Sequence, residues 1–279
     1  MLNNPIARIK MKRASATQMM DADDELAVEE PLEIKVAYGG KARAVCKTIS
    51  VTMRTPGHDE ELALGFLWTE GILQHRRQIA RTSLCFPGNA VVVTLQENEE
   101  PQLQKAERNF YAASSCGVCG KASIEAIRTV SVYKDTTDDI CLPPALFYCL
   151  EEALRKQQAL FESTGGLHAS ALFDLDGNAI SLREDVGRHN ALDKLIGAAF
   201  LNDSLPLNDR ILLLSGRAGF ELVQKAAMAG IKIVAAVGAP SSLAVQLAHE
   251  SGITLIGFLR NKGFNIYSGE HRIRLKEAH

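Results

Sequence analysis

Residues 211–237 have the sequence ILLLSGRAGFELVQKAAMAGIKIVAAV. Two short apolar runs, Ile211–Leu214 and 231–237, flank a segment at 220–229 that is predicted to be a helix. Short apolar runs that alternate with helices of about ten residues are typical of a parallel sheet covered on both faces. This stretch therefore predicts an α/β unit whose strands are joined by right-handed crossovers.

The same alternation continues on both sides of this stretch. Downstream, a helix is predicted at 241–250 and a strand at 254–258. Upstream, a hairpin is predicted around Asp174-Leu175-Asp176-Gly177-Asn178, with helices at 143–161 and 188–200. Residues 116–279 are therefore expected to form an α/β body with three layers.

The first part of the chain has a different pattern. Alternating runs within 32–53 flank Gly39-Gly40, a buried helix is predicted from Asp59, and a second strand pair is predicted at 81–86 and 90–96. Residues 30–115 are expected to be a smaller N-terminal α+β region, which is compatible with one sheet shared with the body. Residues 1–29 change from basic to acidic and are predicted to be a flexible arm whose charges are solvated.

The composition argues against several classes of protein. The chain has 279 residues, of which 46% are hydrophobic and 23% are charged, as is usual for a globular protein with a substantial core. Its net charge of −2 argues against a nucleic-acid-binding or membrane-surface protein, because neither partner would be attracted by the overall field. No apolar run approaches the roughly 18 residues that span a bilayer, and no secretory signal is predicted. A cytoplasmic location with free thiols is therefore expected.

The stretch Ser114-Ser115-Cys116-Gly117-Val118-Cys119-Gly120-Lys121 concentrates the reactive chemistry. Each cysteine is followed by a glycine, and a helix is predicted at 122–130, so both thiols are expected near a helix N-terminus. The helix dipole favours a thiolate there. The open alternatives are half of a zinc knuckle and a redox dithiol, and sulfur or metal chemistry is the favoured interpretation. Cys149, inside the helix predicted at 143–161, is expected to be a core residue.

A zinc site is not expected. The zinc deaminase signature is H-x-E followed by P-C-x-x-C, whereas here Cys116 and Cys119 precede His168, and Ser170 occupies the position of the glutamate. A structural four-cysteine site would need a second C-x-x-C, but Cys141 and Cys149 are too far apart. No other metal site is predicted.

Four loops that carry glycines are predicted to meet at one edge of the sheet: 184–190, 215–219, 238–242 and 260–263. Ligands of open α/β sheets bind beyond the carboxyl ends of the strands. Backbone N–H groups at helix N-termini suit a phosphate, and Arg188, Arg217, Arg260 and Lys262 add positive charge. None of the loops matches the P-loop or the G-x-G-x-x-G fingerprint, so their convergence alone favours a nucleotide or phosphorylated ligand.

Two histidines are candidates for this edge. His189, beside Arg188 at a helix start, is favoured over His168 to face the ligand. Glu184 or Asp185 is a candidate partner for these bases, and an exposed ion pair is the alternative.

Several motifs spread over most of the chain resemble one known family. The matching segments include 55–72, with Ala63-Leu64-Gly65-Phe66, then Cys116-Gly117-Val118-Cys119-Gly120, Thr164-Gly165-Gly166-Leu167-His168-Ala169, Glu184-Asp185-Val186-Gly187-Arg188-His189-Asn190-Ala191-Leu192-Asp193-Lys194, Ser215-Gly216-Arg217 and 221–226. On these motifs the chain resembles the FdhD/NarQ family of sulfur-carrier proteins, which are needed to activate formate dehydrogenases.

The resemblance implies a specific function. A member of this family takes sulfur from a cysteine desulfurase as a persulfide and transfers it to the molybdenum or tungsten bis(guanine dinucleotide) cofactor before the cofactor enters formate dehydrogenase. It implies that Cys116 carries the persulfide and Cys119 is its partner. It also implies a cytidine deaminase-like three-layer sandwich, a homodimer, and a carrier with a persulfide intermediate rather than a turnover enzyme.

The same resemblance implies where the cofactor binds. The cofactor-binding hexapeptide of the family falls on Phe258-Leu259-Arg260-Asn261-Lys262-Gly263, where a Lys-Pro-Gly-Arg-like arrangement is replaced by Arg-Asn-Lys-Gly. Arg188, His189 and Arg217 are expected to complete the site, and GDP is the expected fragment ligand. The alternative functions are a thiol redox protein that cycles a Cys116–Cys119 disulfide, and a non-catalytic nucleotide-binding module.

Overall fold

The computed structural model describes residues 4–40, 44–85, 89–103, 133, 138–260 and 263–274. Its helices are α1 (Asp59–Thr69), α2 (Pro144–Gln157), α3 (Ala159–Thr164), α4 (Arg188–Leu201), α5 (Phe220–Met228) and α6 (Ser242–Glu250). Its strands are β1 (Ile6–Ala14), β2 (Met19–Ala27), β3 (Glu30–Tyr38), β4 (Val45–Arg54), β5 (Ile79–Cys85), β6 (Ala90–Leu95), β7 (His168–Phe173), β8 (Ala179–Asp185), β9 (Ile211–Leu214), β10 (Ile233–Ala236), β11 (Thr254–Arg260) and β12 (Gly263–Ser268). The described residues therefore form a mixed α/β protein, and their strands form three sheets.

The largest sheet has six strands in the order β12-β11-β10-β9-β7-β8. Strands β9, β10 and β11 are parallel, as the sequence predicts, but β7 and β12 run antiparallel to their neighbours. The expectation of a parallel sheet is therefore corrected to a mixed one. The prediction misses β12 because its run, Gly-Phe-Asn-Ile-Tyr-Ser, has no continuous apolar core.

Within the described residues, helices pack against both faces of this sheet. On one face α2 packs Phe147, Leu150 and Leu154 against the strands. On the other face α4, α5 and α6 share a second buried cluster with the strands. The likeness to cytidine deaminases stays a prediction.

The second sheet has four strands in the order β4-β3-β6-β5. The two predicted strand pairs, β3 with β4 and β5 with β6, are both antiparallel and are confirmed. Leu32, Ile34 and Val36 of β3 point inward and are buried in the same cluster as α1. This sheet is separate from the six-stranded one, so the suggestion of a single shared sheet is wrong.

Helices α1 and α4 join the two regions by direct backbone contact. A Cβ atom added to Gly65 would lie 1.8 Å from the Asp193 carbonyl oxygen, and one added to Gly197 would lie 1.8 Å from the Glu61 carbonyl oxygen. Only glycine allows this approach. The small α+β region and the α/β body consequently share one hydrophobic core.

The prediction for the N-terminal arm is corrected, because the arm contains two strands. Strands β1 and β2 form an antiparallel ribbon in which Arg8 faces Glu25, Lys10 faces Asp23 and Lys12 faces Asp21. Opposite charges directly across a strand pair stabilise the pairing. The change from basic to acidic residues therefore encodes a hairpin, while the flexibility of the arm stays a prediction.

The helix predicted at 143–161 is also corrected, because it is interrupted at Gln158 and forms α2 and α3. Cys149 is exposed, so its assignment to the core is wrong. The buried face of α2 follows Phe147, Leu150 and Leu154 at helical spacing, and Cys149 lies off that face. Among the helices within the described ranges, none is long and apolar enough to cross a membrane.

Candidate functional site

The structure brings the described parts of the predicted glycine loops together at one edge of the six-stranded sheet. The carboxyl ends of β9, β10 and β11 lie side by side, because these strands are parallel neighbours. Strand β7 is antiparallel to β9, so its first residue, His168, reaches the same edge and pairs with Asp185 at the end of β8. We call this the carboxyl edge: residues 185–189, 215–219, 237–241 and 258–260, together with His168.

Backbone hydrogen bonds tie the loops of the carboxyl edge to one another. The Gly238 N–H donates to the Gly216 carbonyl at 2.9 Å, and the Phe258 N–H donates to the Gly238 carbonyl at 3.1 Å. Between them, Ala218 donates to the Ala239 carbonyl at 3.2 Å and accepts from the Ser241 N–H at 3.0 Å. The loops therefore form one connected rim rather than independent turns.

Two glycines of this rim are required by packing. A Cβ atom at Gly238 would lie 3.0 Å from the backbone of Arg217, and one at Gly216 would lie 3.3 Å from Nδ1 of His168. The glycines let the loops lie against one another and let the histidine approach the backbone.

The motif 184–194 has a buried part that acts as an anchor. Asp185 and Lys194 form an ion pair at 2.7 Å, with both side chains almost wholly buried. Asp185 also accepts from the Thr55 N–H at 3.1 Å, and Lys194 donates to the Thr55 carbonyl at 2.8 Å. Asn190 donates to the Met53 carbonyl at 2.7 Å. These residues fix α4 to the end of β4.

A second buried ion pair joins α1, α4 and α5. Lys225 contacts Asp193 at 2.9 Å and donates to the Thr69 hydroxyl at 2.8 Å. Burial alone would lower the pKa of Lys225, but the carboxylates of Asp193 and Glu70 raise it above its ordinary value. Asp193 therefore also has a structural role.

The exposed part of the motif lies in the first turn of α4. Arg188 is exposed and His189 is half-buried. Nε2 of His189 lies 2.9 Å from a carboxylate oxygen of Glu221, in the first turn of α5. The hydrogen bond with His189 lowers the pKa of Glu221. The sequence prediction missed Glu221, although an acidic residue just after the 215–219 loop was a usable signal.

Neither predicted partner forms a hydrogen bond or ion pair with His168 or His189 within the described residues, although Asp185 lies opposite His168 and acts on it through its charge. Glu184 accepts hydrogen bonds from the N–H groups of Leu160 and Phe161 at 3.2 and 2.9 Å, so it caps the start of α3. Asp185 is engaged by Lys194. Both carboxylates turn toward helix backbone or the buried ion pair, because β8 ends between these elements.

His168 contributes an uncharged base to the carboxyl edge. Burial lowers the pKa of His168, and the positive charges of Arg188 and His189 lower it further. At neutral pH the ring is therefore neutral. It offers one N–H donor and one acceptor nitrogen beside Gly216.

Three arginines supply positive charge at this edge. Neither Arg188 nor Arg217 forms a hydrogen bond or ion pair with any other residue in the described ranges, and both are exposed. The guanidinium of Arg260 lies over the ring of Phe258, 5.6 Å from its centroid. Phe258 has a φ of 55°, and the pairing of β11 with β12 is irregular between Gly257 and Arg260. The three cations are free to bind an anionic group.

The predicted hexapeptide includes the last three residues of β11 and the first residue of β12. Leu259 is 1% exposed and packs in the core, so its side chain is not available to a ligand. Gly263 pairs with Arg260 and opens β12. Asn261 and Lys262 lie outside the described residues.

The two cysteines that are predicted to be reactive, Cys116 and Cys119, and the helix predicted at 122–130 also lie outside the described residues. Cys46, Cys85, Cys141 and Cys149 are exposed free thiols. Within the described ranges, no three histidine, cysteine, aspartate or glutamate side chains are grouped so as to hold a metal ion.

Comparison with known proteins identifies the family. The sequence model of the FdhD/NarQ family matches residues 27–274. The chain belongs to the FdhD/NarQ family. It is 49% identical over 276 residues to the sulfur carrier protein FdhD of Mycolicibacterium paratuberculosis, covering 96% of this chain and 98% of that protein. It is 48% identical to the protein of the same name from Streptomyces avermitilis, covering 91% of each chain.

A solved structure supports the fold of this family member. A crystal structure of a candidate formate dehydrogenase accessory protein from Desulfotalea psychrophila matches with a TM-score of 0.72. The match covers 97% of this chain and 100% of the other at 24% sequence identity. At this identity the likeness supports the fold alone.

Proposed function

We propose that this chain is a sulfur carrier that serves formate dehydrogenase. The observation that carries the proposal is its near full-length identity of 49% to a protein named sulfur carrier protein FdhD, in a chain that contains the C-G-V-C-G sequence. A thiolate is the nucleophile of sulfur transfer. Cys116 and Cys119 are each followed by a glycine rather than by a bulky side chain.

In the proposed reaction, Cys116 attacks the outer sulfur of a persulfide on a cysteine desulfurase. The donor's S–S bond breaks, a new S–S bond forms on Cys116, and the donor cysteine leaves as a thiolate. The outer sulfur then passes to the Mo-bis(molybdopterin guanine dinucleotide) cofactor or its tungsten counterpart, and the reduced metal supplies the two electrons that make it a sulfide. Cys119 is the second thiol of this reaction, and no resident zinc takes part.

The carboxyl edge is the proposed site for the guanine-nucleotide end of this cargo. Arg188, Arg217 and Arg260 are exposed, and none is neutralised by a carboxylate in the described part of the chain. Guanidinium groups bind phosphate oxygens through paired N–H donors, which a single ammonium group cannot reproduce. GDP, as a fragment of the cargo, is expected to bind here more tightly than ADP.

The proposal extends to partners and location. The carrier contacts a cysteine desulfurase and the catalytic subunit of formate dehydrogenase, works in the cytoplasm, and forms a homodimer, since closed two-fold dimers are the commonest oligomers. A fold similar to that of cytidine deaminases accompanies this function in the family.

The test is to incubate the protein with a cysteine desulfurase and cysteine, and to map the product by mass spectrometry. We expect an adduct of about 32 Da, one sulfur atom, on Cys116. Cys116→Ala should abolish both the adduct and the activation of formate dehydrogenase in a deletion strain. Cys149→Ala, which removes an exposed thiol from α2, is the matched control and should be active.

Two results would contradict the proposal. Activation by the Cys116→Ala variant would exclude this cysteine as the carrier. A loss of about 2 Da without added sulfur would instead favour the redox alternative, in which Cys116 and Cys119 form a disulfide.

A further inference from the structure

A carboxylate lies among the cations of the carboxyl edge. Glu221 is in the first turn of α5, directly after the loop that carries Arg217, and its side chain is 54% exposed. The hydrogen bond with His189 lowers the pKa of Glu221 most strongly, and the charge of Arg188 adds to the shift. Glu221 is therefore ionised at neutral pH and lies close enough to Arg188 to interact with its charge.

A negative charge at this position does not suit a ligand that consists of phosphate alone. A carboxylate repels phosphate oxygens and opposes the attraction that the nearby guanidinium groups exert on them. An ionised carboxylate is also an acceptor with no hydrogen to donate, so its partner in a ligand has to be an N–H or O–H donor. Glu221 therefore indicates a ligand that brings hydrogen-bond donors to this edge as well as an anionic group.

The carboxylate of Glu221 is oriented and only partly used. Nε2 of His189 lies 2.9 Å from one of its oxygens. The other oxygen forms no hydrogen bond or ion pair with any residue in the described ranges. Because a carboxylate has about four lone-pair sites, both oxygens can still accept hydrogen bonds from a ligand.

Guanine carries a pair of donors that fits this acceptor. Its N1–H and 2-amino groups lie side by side on the Watson–Crick edge and point the same way, so one carboxylate can accept from both. Adenine presents an unprotonated N1 at the same place, which a carboxylate repels. Proteins read single bases through hydrogen bonds to this edge, and hydrogen bonds to a charged acceptor are about twice as strong as neutral ones.

We propose that Glu221 selects the guanine base of the cargo, accepting hydrogen bonds from its N1–H and 2-amino groups while Arg188 and Arg217 bind its diphosphate. The acid and both arginines are exposed, so each end of the nucleotide can reach its partner. The inference rests on the proposed function, because the cargo supplies the nucleotide, and it adds the residue that distinguishes guanine from adenine.

The test is calorimetry with GDP, IDP and ADP, which share a diphosphate and differ in the base. IDP has the N1–H of GDP but no 2-amino group. The unaltered protein should bind GDP about 10-fold or more tightly than IDP, and ADP most weakly, because each change leaves the carboxylate with one donor fewer. In Glu221→Gln, GDP should bind about 10-fold or more weakly, whereas ADP should not, since an amide can donate to adenine N1 and accept from its 6-amino group.

Two controls separate this role from an effect of charge alone. Removing a negative charge beside a phosphate favours phosphate binding, so pyrophosphate should bind Glu221→Gln at least as tightly as the unaltered protein. Glu152→Gln removes an exposed acid from an ion pair on α2, on the far face of the sheet, and should leave all three nucleotide affinities unchanged.

The inference alone is overturned if Glu221→Gln keeps the ratio of the GDP and ADP affinities, because Glu221 would then act only through its charge. It is also overturned if Glu221→Gln loses pyrophosphate together with GDP, since the loss would then not concern the base. If the unaltered protein binds GDP no more tightly than ADP, the guanine-nucleotide site of the proposed function fails together with this inference. The sulfur adduct on Cys116 is measured without nucleotide, so the carrier function is judged separately from all three results.

Discussion

Replacing Lys194 by methionine tests whether the buried Asp185–Lys194 pair anchors α4 to the small region. The two side chains are 0% and 2% exposed, and Nζ lies 2.7 Å from the carboxylate. Lys194 also donates to the Thr55 carbonyl at 2.8 Å. Methionine retains most of the apolar stem but leaves a buried carboxylate without its charged partner. We expect the free energy of unfolding to fall by about 3–5 kcal/mol, the range for removing one member of a buried pair.

The matched control is Lys156→Met in α2. Lys156 lies 2.7 Å from Glu152, but both side chains are 72% exposed. An exposed pair of this kind is screened by water and contributes little to stability. Urea denaturation followed by circular dichroism measures both losses, and an unchanged m-value shows that the variants expose the same surface on unfolding.

A second variant separates charge from packing. In Lys194→Met/Asp185→Asn the unpaired charge is removed, so part of the lost stability should return. If Lys194→Met loses no more stability than Lys156→Met, the buried pair is not the anchor. If the double variant is as unstable as the single one, the loss comes from the stem and the Thr55 contact rather than from the charge.

Three further predictions concern packing, pH and ligand binding. Gly65→Ala should lower the free energy of unfolding by at least about 1–3 kcal/mol in urea, because its methyl group would meet the backbone of α4. Burial raises the pKa of Glu61, but hydrogen bonds from Arg183 and a neighbouring histidine lower it to about 2 from 4.5. The ionised Glu61 therefore stabilises the fold fully above pH 4.5. In acid titrations, the difference in the free energy of unfolding between the unaltered protein and Glu61→Gln should shrink as the pH falls toward 2. Arg188→Ala/Arg217→Ala should weaken the binding of GDP about 10-fold or more in calorimetry. Salt screens the attraction between charges, so this loss should be larger at low salt than at high salt, and a smaller loss at low salt would contradict the cargo site.

Much of the α/β body could be predicted because its elements have local signals. Strands such as β9 and β10 are short apolar runs followed by glycine turns, and the helix predicted between them indicates that they are parallel. The contact between Gly65 and Gly197 could not be predicted, because each looks like an ordinary helical glycine until two distant helices meet. The N-terminal hairpin was missed for the opposite reason: its signal is the matching of charges across two strands, which no single strand shows.

The convergence of the loops at the carboxyl edge could likewise be predicted, since parallel strands bring their carboxyl ends together. The roles inside the 184–194 motif could not be read from the residue types, because an aspartate and a lysine suit an active site as well as a buried pair. The spacing of these residues along the helix indicates part of their division into buried and exposed roles. Asn190, Asp193 and Lys194 are three and four residues apart and so share one helix face, whereas Arg188 is at neither spacing from any of them.

The division of the 184–194 motif into buried and exposed residues links the stability of the fold to the proposed function. The buried residues clamp α4 against Thr55 and α1, so the first turn of the helix, with Arg188 and His189, is positioned by the core rather than by a loop. The rim of backbone hydrogen bonds does the same for the loop that carries Arg217. Groups that are already in place lose little entropy when a ligand binds, so a fixed edge favours affinity for an anionic cargo. A carrier of the proposed kind has to hold that cargo while a sulfur atom arrives from another protein, and an edge built on the core can do so whichever partner is bound.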